Sequence, residues 1–361
     1  MKPQPIPQRS TLVSQTIALL ERGMKEGRWA AQLPSQSELC RHFAISRTTL
    51  RLALQALQRW GKIQVSQGCP AIILRRSHAG VTAPTISRVV LVLPEPLWCL
   101  RPATGNWAGE LRTWVERAGM EFELSEGGNH YRAQPTAHLE KLIQSHPNSS
   151  WVVFGSNQPM QAWFVARGLP VIHVGAVFPG IEIPSIEYDH AAIAQHAAAK
   201  LVAAGHEHTA VLLQRTGSAA DATTCEAFAA NRKPGAARPL VLEHDGSLAQ
   251  IESRLRHFAR LSPRPTALFV TKSHAIPAVL TILPRLGMEI PRDLSVICRE
   301  DDPFLGYLVP AIARYSSDSS AIARKLGVAL RRLACGQALK ITHDRIMPRF
   351  LAGQSVGPVA R

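Results

Sequence analysis

Between Thr11 and about Glu26, Val13, Ile17, Leu20 and Met24 recur every three or four positions, the spacing of an amphipathic helix with one buried stripe. Gly27 and Pro34 break that pattern. Ser35-Gln36-Ser37-Glu38 then has the form of a capping box, opening a second helix of about ten residues that buries Leu39 and Phe43. After Ala44-Ile45, Ser46 can cap a third helix running to Trp60, with Leu50, Leu54 and Leu57 inward and Arg47, Thr48 and Arg51 at its exposed start. Gly61 stops it, and two extended runs follow, Lys62 to Ser66 and Ala71 to Leu74, with Gln67-Gly68-Cys69-Pro70 as a hairpin tip. Three helices and a hairpin in this order predict a winged helix-turn-helix, whose third helix enters a DNA major groove N-terminus first.

The pattern changes beyond residue 78. Ser77 to Ser87 is small, polar and broken by Pro84, as a linker is. Short apolar runs then alternate with helical stretches. Val89 to Leu93, Trp151 to Phe154, Val171 to Val174, Ala210 to Leu213, Ala267 to Val270 and Ser295 to Cys298 have the continuous apolar character of strands buried on both faces. Helices are expected over Gly109–Ala118, Ala137–Gln144, Met160–Arg167, His190–Ala204, Gln250–Ala259 and His274–Leu286. This alternation predicts α/β architecture with parallel, Rossmann-like sheets, in two lobes because there are too many units for one.

Charge sharpens the division. Of the net +15, residues 1–78 carry +9, from twelve Lys and Arg against three Glu, so the N-terminal module is the one suited to a phosphate polymer. Cys40, Cys69, Cys99, Cys225, Cys298 and Cys335 are scattered without CxxC or zinc-finger spacing, so free thiols, no metal and no cofactor are expected. No apolar run is long enough to span a membrane and MKPQPIPQRS lacks a signal-peptide stretch, which predicts a cytoplasmic protein.

The stretch LPSQSELCRHFAISRTTLRLALQALQRWGKIQVSQGCPAIIL resembles the winged helix of the gluconate-repressor (GntR) family of bacterial regulators, over roughly residues 10–76. The resemblance implies a DNA-binding domain over 1–78. It assigns the recognition-helix contacts to Arg47, Thr48, Thr49 and Arg51 and the wing tip to Gln67 and Gly68, with Ser35 and Gln36 at the start of the second helix also near DNA. Arginine suits bidentate bonding to guanine, and threonine suits a phosphate or a thymine methyl. The sequence departs from the family at Gln36 and Ser37, where a glutamate and then an arginine are common.

A second resemblance, over about 88–356, is to the effector domain of the lactose and galactose repressor (LacI/GalR) family, itself similar to periplasmic sugar-binding proteins. It is carried by IEYDHAAIAQHAAAKLVAAGHEHTAVLL, by RPTALFVTKSHAIPAVLTILPRLGMEIPRDLSVICREDD and by the helix SSAIARKLGVALRRLACG. The pairing with a GntR-type reader resembles the arabinose-repressor branch. It implies a linker at 79–87, then an effector-binding and dimerisation domain with one lobe of about 88–186 plus 311–337 and another of about 187–310 plus 338–356. The effector would lie between them, near Asn106, Trp107, Thr224, Lys272, Glu300 and Asp301. Ala222-Thr223-Thr224 replaces the arginine of sugar-binding members, and Lys272-Ser273 replaces an Asn-Asp pair, so the polar lining differs from theirs.

His206-Glu207-His208 lacks a third metal ligand at a matching spacing, Glu300-Asp301 gives no glycosidase geometry, and neither a Gly-x-Ser-x-Gly elbow nor a phosphate loop occurs. No catalytic residue is therefore expected. The resemblances imply a homodimeric repressor on operator DNA, controlled by a sugar or sugar derivative. The alternatives are the same DNA reader on a ligand-insensitive dimerisation platform, or a sugar-binding or sugar-processing protein.

Overall fold

A computed structural model describes residues 12–29, 32–59, 62–65, 70–73, 86–232, 235–334, 337, 339 and 341–359. The chain divides into two compact units, one reaching Thr85 and taking in Leu330–Ala338, the other formed by Ile86–Ala329 and Leu339–Arg361.

In the N-terminal unit, α1 (Leu12–Lys25), α2 (Gln36–Phe43) and α3 (Arg47–Arg59) precede β1 (Ile63–Gln64) and β2 (Ile72–Ile73). The two strands pair antiparallel, Ile63 opposite Ile73, and Gln32 bridges to Ile72. Leu20, Leu33, Leu39, Leu50, Leu54, Leu57 and Ile63 close one apolar core, with Val13, Ile17, Met24 and Phe43 against it. The helical stripes fall where their spacing puts them. Ala44 ends α2 in the left-handed conformation, at φ 51°, its amide bonded to the Cys40 carbonyl.

The second unit begins with β3 (Arg88–Leu93), α4 (Pro102–Arg117), β4 (Glu121–Glu126), α5 (Thr136–Ser145), β5 (Ser149–Phe154), α6 (Gln158–Ala166), β6 (Val171–Val174) and β7 (Ser185–Tyr188). It continues through α7 (His190–Ala203), β8 (Thr209–Gln214), α8 (Ala219–Ala230), β9 (Leu240–His244), α9 (Leu248–Ala259), β10 (Ala267–Val270), α10 (Ile276–Arg285) and β11 (Ser295–Cys298). It finishes with β12 (Ala313–Ser316), α11 (Ser319–Ala334), whose residues from Leu330 on group with the first unit, β13 (His343–Ile346) and β14 (Arg349–Leu351). Two six-stranded sheets result, β13-β7-β6-β5-β3-β4 and β14-β12-β11-β10-β8-β9, parallel throughout except for β14.

Central strands are apolar on both faces because helices cover both. Leu268 and Val270 of β10 join Ile251, Leu255, Phe258 and Val279 on one side, while Ala267 and Phe269 join Ile193, Leu201 and Phe228 on the other. The lobe boundaries differ from the expected ones. Ala313–Ser316, expected in the first lobe, pairs with β11 in the second sheet, and His343–Ile346, expected in the second, pairs with β7 in the first. Each sheet takes the strand that extends its parallel edge.

The described cysteines, Cys40, Cys99, Cys225 and Cys298, are free thiols. No helix among the described residues is long and apolar enough to cross a membrane.

Candidate DNA-reading surface and inter-lobe cleft

The start of α3 is held by Ser46, whose hydroxyl accepts from the Thr49 amide at 3.1 Å and lies 2.9 Å from the Thr49 hydroxyl. Leu50, Ala53, Leu54 and Leu57 anchor the opposite face in the core, so Arg47, Thr48 and Arg51 stand exposed on one patch. Thr49 is half-buried with its hydroxyl engaged. Ser35 closes the capping box on α2: its hydroxyl accepts from the Glu38 amide at 3.3 Å, and its amide donates to the Glu38 carboxylate at 2.9 Å. Its hydroxyl is thus committed to the helix end, whereas Gln36 is exposed. Gln67 and Gly68 lie outside the described residues. Lys62 is tied to Glu21 by an ion pair.

In the second unit a cleft of about 680 Å³ opens between the two sheets. Its walls are the residues just beyond strand C-termini: Gly155 and Asn157 after β5, Gly175 after β6, Thr216 and Gly217 after β8, Lys272 after β10, Arg299 and Glu300 after β11. Parallel sheets leave such a crevice at the carboxyl ends of their strands. Arg101 enters from the N-cap of α4, and Trp107, 2 % exposed and 5.7 Å from the Phe154 ring, forms an aromatic wall.

The cleft floor is a charge network. Glu300, 7 % exposed, accepts from Lys272 Nζ at 3.0 Å and the Ser273 amide at 3.2 Å, and Arg101 Nε lies 3.6 Å away. Burial alone would raise its pKa; Arg101, Lys272 and Arg299 more than offset that and hold the carboxylate far below its usual range. The Ser273 hydroxyl donates to Asp302, whose carboxyl is pushed upward by burial. Arg299 donates from one guanidinium nitrogen to the Thr224 hydroxyl at 2.8 Å, and Thr224 in turn donates to the Ala220 carbonyl. His190, also lining the cleft, is kept well below its ordinary pKa by burial and then by Arg299 and Lys272.

Trp107, Lys272 and Glu300 therefore meet at the cleft, and three expected residues do not. Asn106 is exposed, one helical step (about 100°) round α4 from Trp107. Thr224 is fully buried behind the wall and reaches the site through Arg299 alone. Asp301 turns to Arg314 of β12, 2.6 Å away. The sequence reading passed over Arg101, His190 and Arg299. A usable signal existed for Arg299, a cation immediately after a fully apolar strand of an open α/β sheet. His206 is structural: its ring nitrogens meet the hydroxyls of Thr266 and Ser295 and the Gly357 carbonyl at 2.9–3.0 Å, and no metal-binding group of side chains occurs among the described residues.

Comparison with known proteins matches both units. Residues 12–73 match the family described as bacterial regulatory proteins, gntR family, and residues 198–356 match the periplasmic binding protein-like domain. No curated protein sequence matches the chain. A LacI family transcriptional regulator from Bifidobacterium animalis subsp. lactis superposes with TM-score 0.65 at 17 % identity, covering 76 % of this chain and 99 % of that one. A LacI-type regulator from Bacillus cereus subsp. cytotoxis gives 0.67 at 16 %, covering 75 % and 98 %. The transcriptional regulator CelR, solved as a cellobiose complex, gives 0.66 at 15 %, covering 90 % and 100 %. These likenesses establish the two-lobed fold, and with the two domain matches the chain is a DNA-binding transcriptional regulator in which a gntR-type domain over residues 12–73 is joined to a periplasmic binding protein-like domain.

Proposed function

We propose that this regulator is a cytoplasmic homodimeric repressor whose affinity for operator DNA changes when a sugar derivative occupies the inter-lobe cleft. The observation that carries the reading is the cleft itself, a 680 Å³ space with an aromatic wall and a buried ionic floor, drawn from both lobes of one chain. A ligand touching both lobes favours one arrangement of them over another, and only such differential contact can move an equilibrium. The cellobiose complex of a similarly folded regulator supports a saccharide class. Arg47, Thr48 and Arg51 read the operator, with Gln36 at the exposed start of α2 as a further contact. Self-association is supported by the apolar surface of Tyr307 and Val309, 87 % and 93 % exposed, next to Phe304. A two-fold dimer matches the symmetry of paired half-sites.

The test is fluorescence anisotropy of the full-length chain on duplexes from upstream of its own gene, against random duplex at physiological salt, with and without candidate sugars. Preference for one upstream site, altered by a sugar, is expected. Equal affinity for all duplexes would refute sequence-specific reading. Ligand binding that leaves DNA affinity unmoved would favour the ligand-insensitive platform.

A further inference from the structure

Arg299 is buried at 5 % exposure, borders the cleft, and offers one nitrogen to Thr224. Its Nε has no hydrogen-bond partner, and none of the ion pairs among the described residues includes it. The neighbouring carboxylate, Glu300, is already shared by Lys272 and Arg101, and Arg101 still leaves its Nη1 unpartnered in a buried position. Three cations thus converge on one fully ionised acid.

The other acids do not restore the balance: of those lining the cleft, Glu187 is paired with Arg345 and Glu95 is exposed to solvent. Asp301 is spent on Arg314, and Asp221 accepts from the Thr216 amide and hydroxyl at 2.8 Å. Asp302 accepts from Ser273, and burial moves its carboxyl toward the neutral form. His190 and His274 add no compensating charge, since burial disfavours their protonated forms. A guanidinium held away from water without a counter-ion is unfavourable, and these two, which border one cavity and each bury an unpartnered donor, lack an acceptor that carries charge.

The geometry points to an anionic ligand: a polyhydroxy compound bearing an oxyanion, carboxylate or phosphate, taken by Arg299 and Arg101 in the cleft that Trp107 borders. This rests on the reading of the cleft as the effector site and narrows it to a charged class. Planar guanidinium groups bond such oxyanions bidentately, supplying both the missing acceptors and the missing charge. A neutral sugar supplies only the first.

The experiment uses the purified full-length chain at constant ionic strength in chloride, with glucose, gluconate, glucose 6-phosphate and inorganic phosphate as probes in thermal shift and calorimetry. At least one anion should raise the Tm saturably and bind tenfold or more tighter than glucose. A response to gluconate identifies the carboxylate source, and a response to glucose 6-phosphate or phosphate identifies the phosphoryl source. Arg299→Gln, which keeps a donor for Thr224, should abolish that preference. With its unpaired charge removed, the empty variant should also melt roughly 2–4 °C above wild type.

Glucose binding as tightly as its charged counterparts would overturn the inference, as would an anion response that persists in Arg299→Gln and so belongs to the basic N-terminal module. If no probe binds, the empty-protein comparison decides: an Arg299→Gln variant no more stable than wild type overturns the proposal. Anion binding without any effect on DNA would leave this inference standing and remove the regulatory reading. A DNA response confined to neutral sugars would do the reverse.

Discussion

Acid should loosen the first lobe through His173. This side chain on β6 is 1 % exposed; its Nδ1 lies 3.0 Å from the Gly175 carbonyl, and Nε2 accepts from the Ser156 amide at 3.3 Å. A carbonyl beside Nδ1 and an N–H donor beside Nε2 select the neutral tautomer that carries its proton on Nδ1. A second proton on Nε2 would keep one acceptor, the Ser156 hydroxyl 2.8 Å away, but would face that amide and the Gln161 side-chain amide nitrogen at 3.4 Å. Burial lowers the pKa to about 4, against the opposing pull of the Gly175 carbonyl. The unfolded chain therefore takes up this proton first, at its ordinary pKa of about 6.5. The stabilising contribution is complete above about pH 6.5, falls as pH drops toward 4, and levels off below that. At about 1.36 kcal/mol per pH unit, the gap from 6.5 to about 4 amounts to about 3 kcal/mol. Urea unfolding followed by tryptophan fluorescence reports chiefly this lobe, because five of the seven tryptophans, Trp98, Trp107, Trp114, Trp151 and Trp163, fall within residues 88–186. The stability difference between wild type and His173→Gln should shrink by about 3 kcal/mol between pH 7.5 and 4. Curves that stay parallel across that range would refute the reasoning. Because Gly155, Gly175 and Ala176 border the cleft, ligand affinity should weaken over the same pH window.

Three further outcomes follow from single side chains. Arg47→Ala should cost about 1–3 kcal/mol on the preferred duplex and much less on random DNA in anisotropy titrations; equal losses would reassign Arg47 to the phosphate backbone. Ala44→Gly should stabilise the N-terminal unit, because a β-carbon at φ 51° costs about 1–2 kcal/mol and the extra freedom of glycine in the unfolded chain offsets only part of it; an unchanged or lower urea midpoint would contradict this. Trp107→Ala should cost about 3–5 kcal/mol in urea unfolding, while Trp107→Phe should retain most stability and lose ligand affinity, separating the packing role from the cleft role.

The parts of the fold legible in the sequence are those where burial leaves a one-dimensional trace. β10 and β11 are apolar at every position but one because helices cover both faces, and α3 shows its stripe because one side is core. Several of the elements that escaped lie at edges. β4, EFELSE, borders its sheet with both terminal residues exposed, and β13, HDRI, holds one apolar residue and owes its conformation to pairing with β7, more than 150 residues earlier. α8, AADATTCEAFAA, is so rich in alanine that its two faces barely differ. Periodicity cannot reveal an element whose partner, rather than its own pattern, fixes it. That is also why the lobe boundaries near the C-terminus were misplaced: β12 and β14 join one sheet and β13 the other, each through a pairing that leaves no trace in local pattern.

The cleft obeys the same logic at the scale of single residues. Along Arg299-Glu300-Asp301-Asp302 the chain bends away from β11 and its side chains take different partners, so a run of three acids does not make an acidic site. Glu300 turns to Lys272 and Asp302 to Ser273, while Asp301 between them leaves for Arg314. Read as a string, that segment is acidic. Folded, its first residue contributes an unpaired guanidinium, one acid is exported, another is pushed toward neutrality, and the third is outnumbered by cations arriving from α4 and β10. Arg101 stands almost 200 positions before Glu300, so no local motif could have joined them. The excess of cations around Glu300 is a property of the topology that brings these residues together, and the proposed preference for an anionic ligand follows from it.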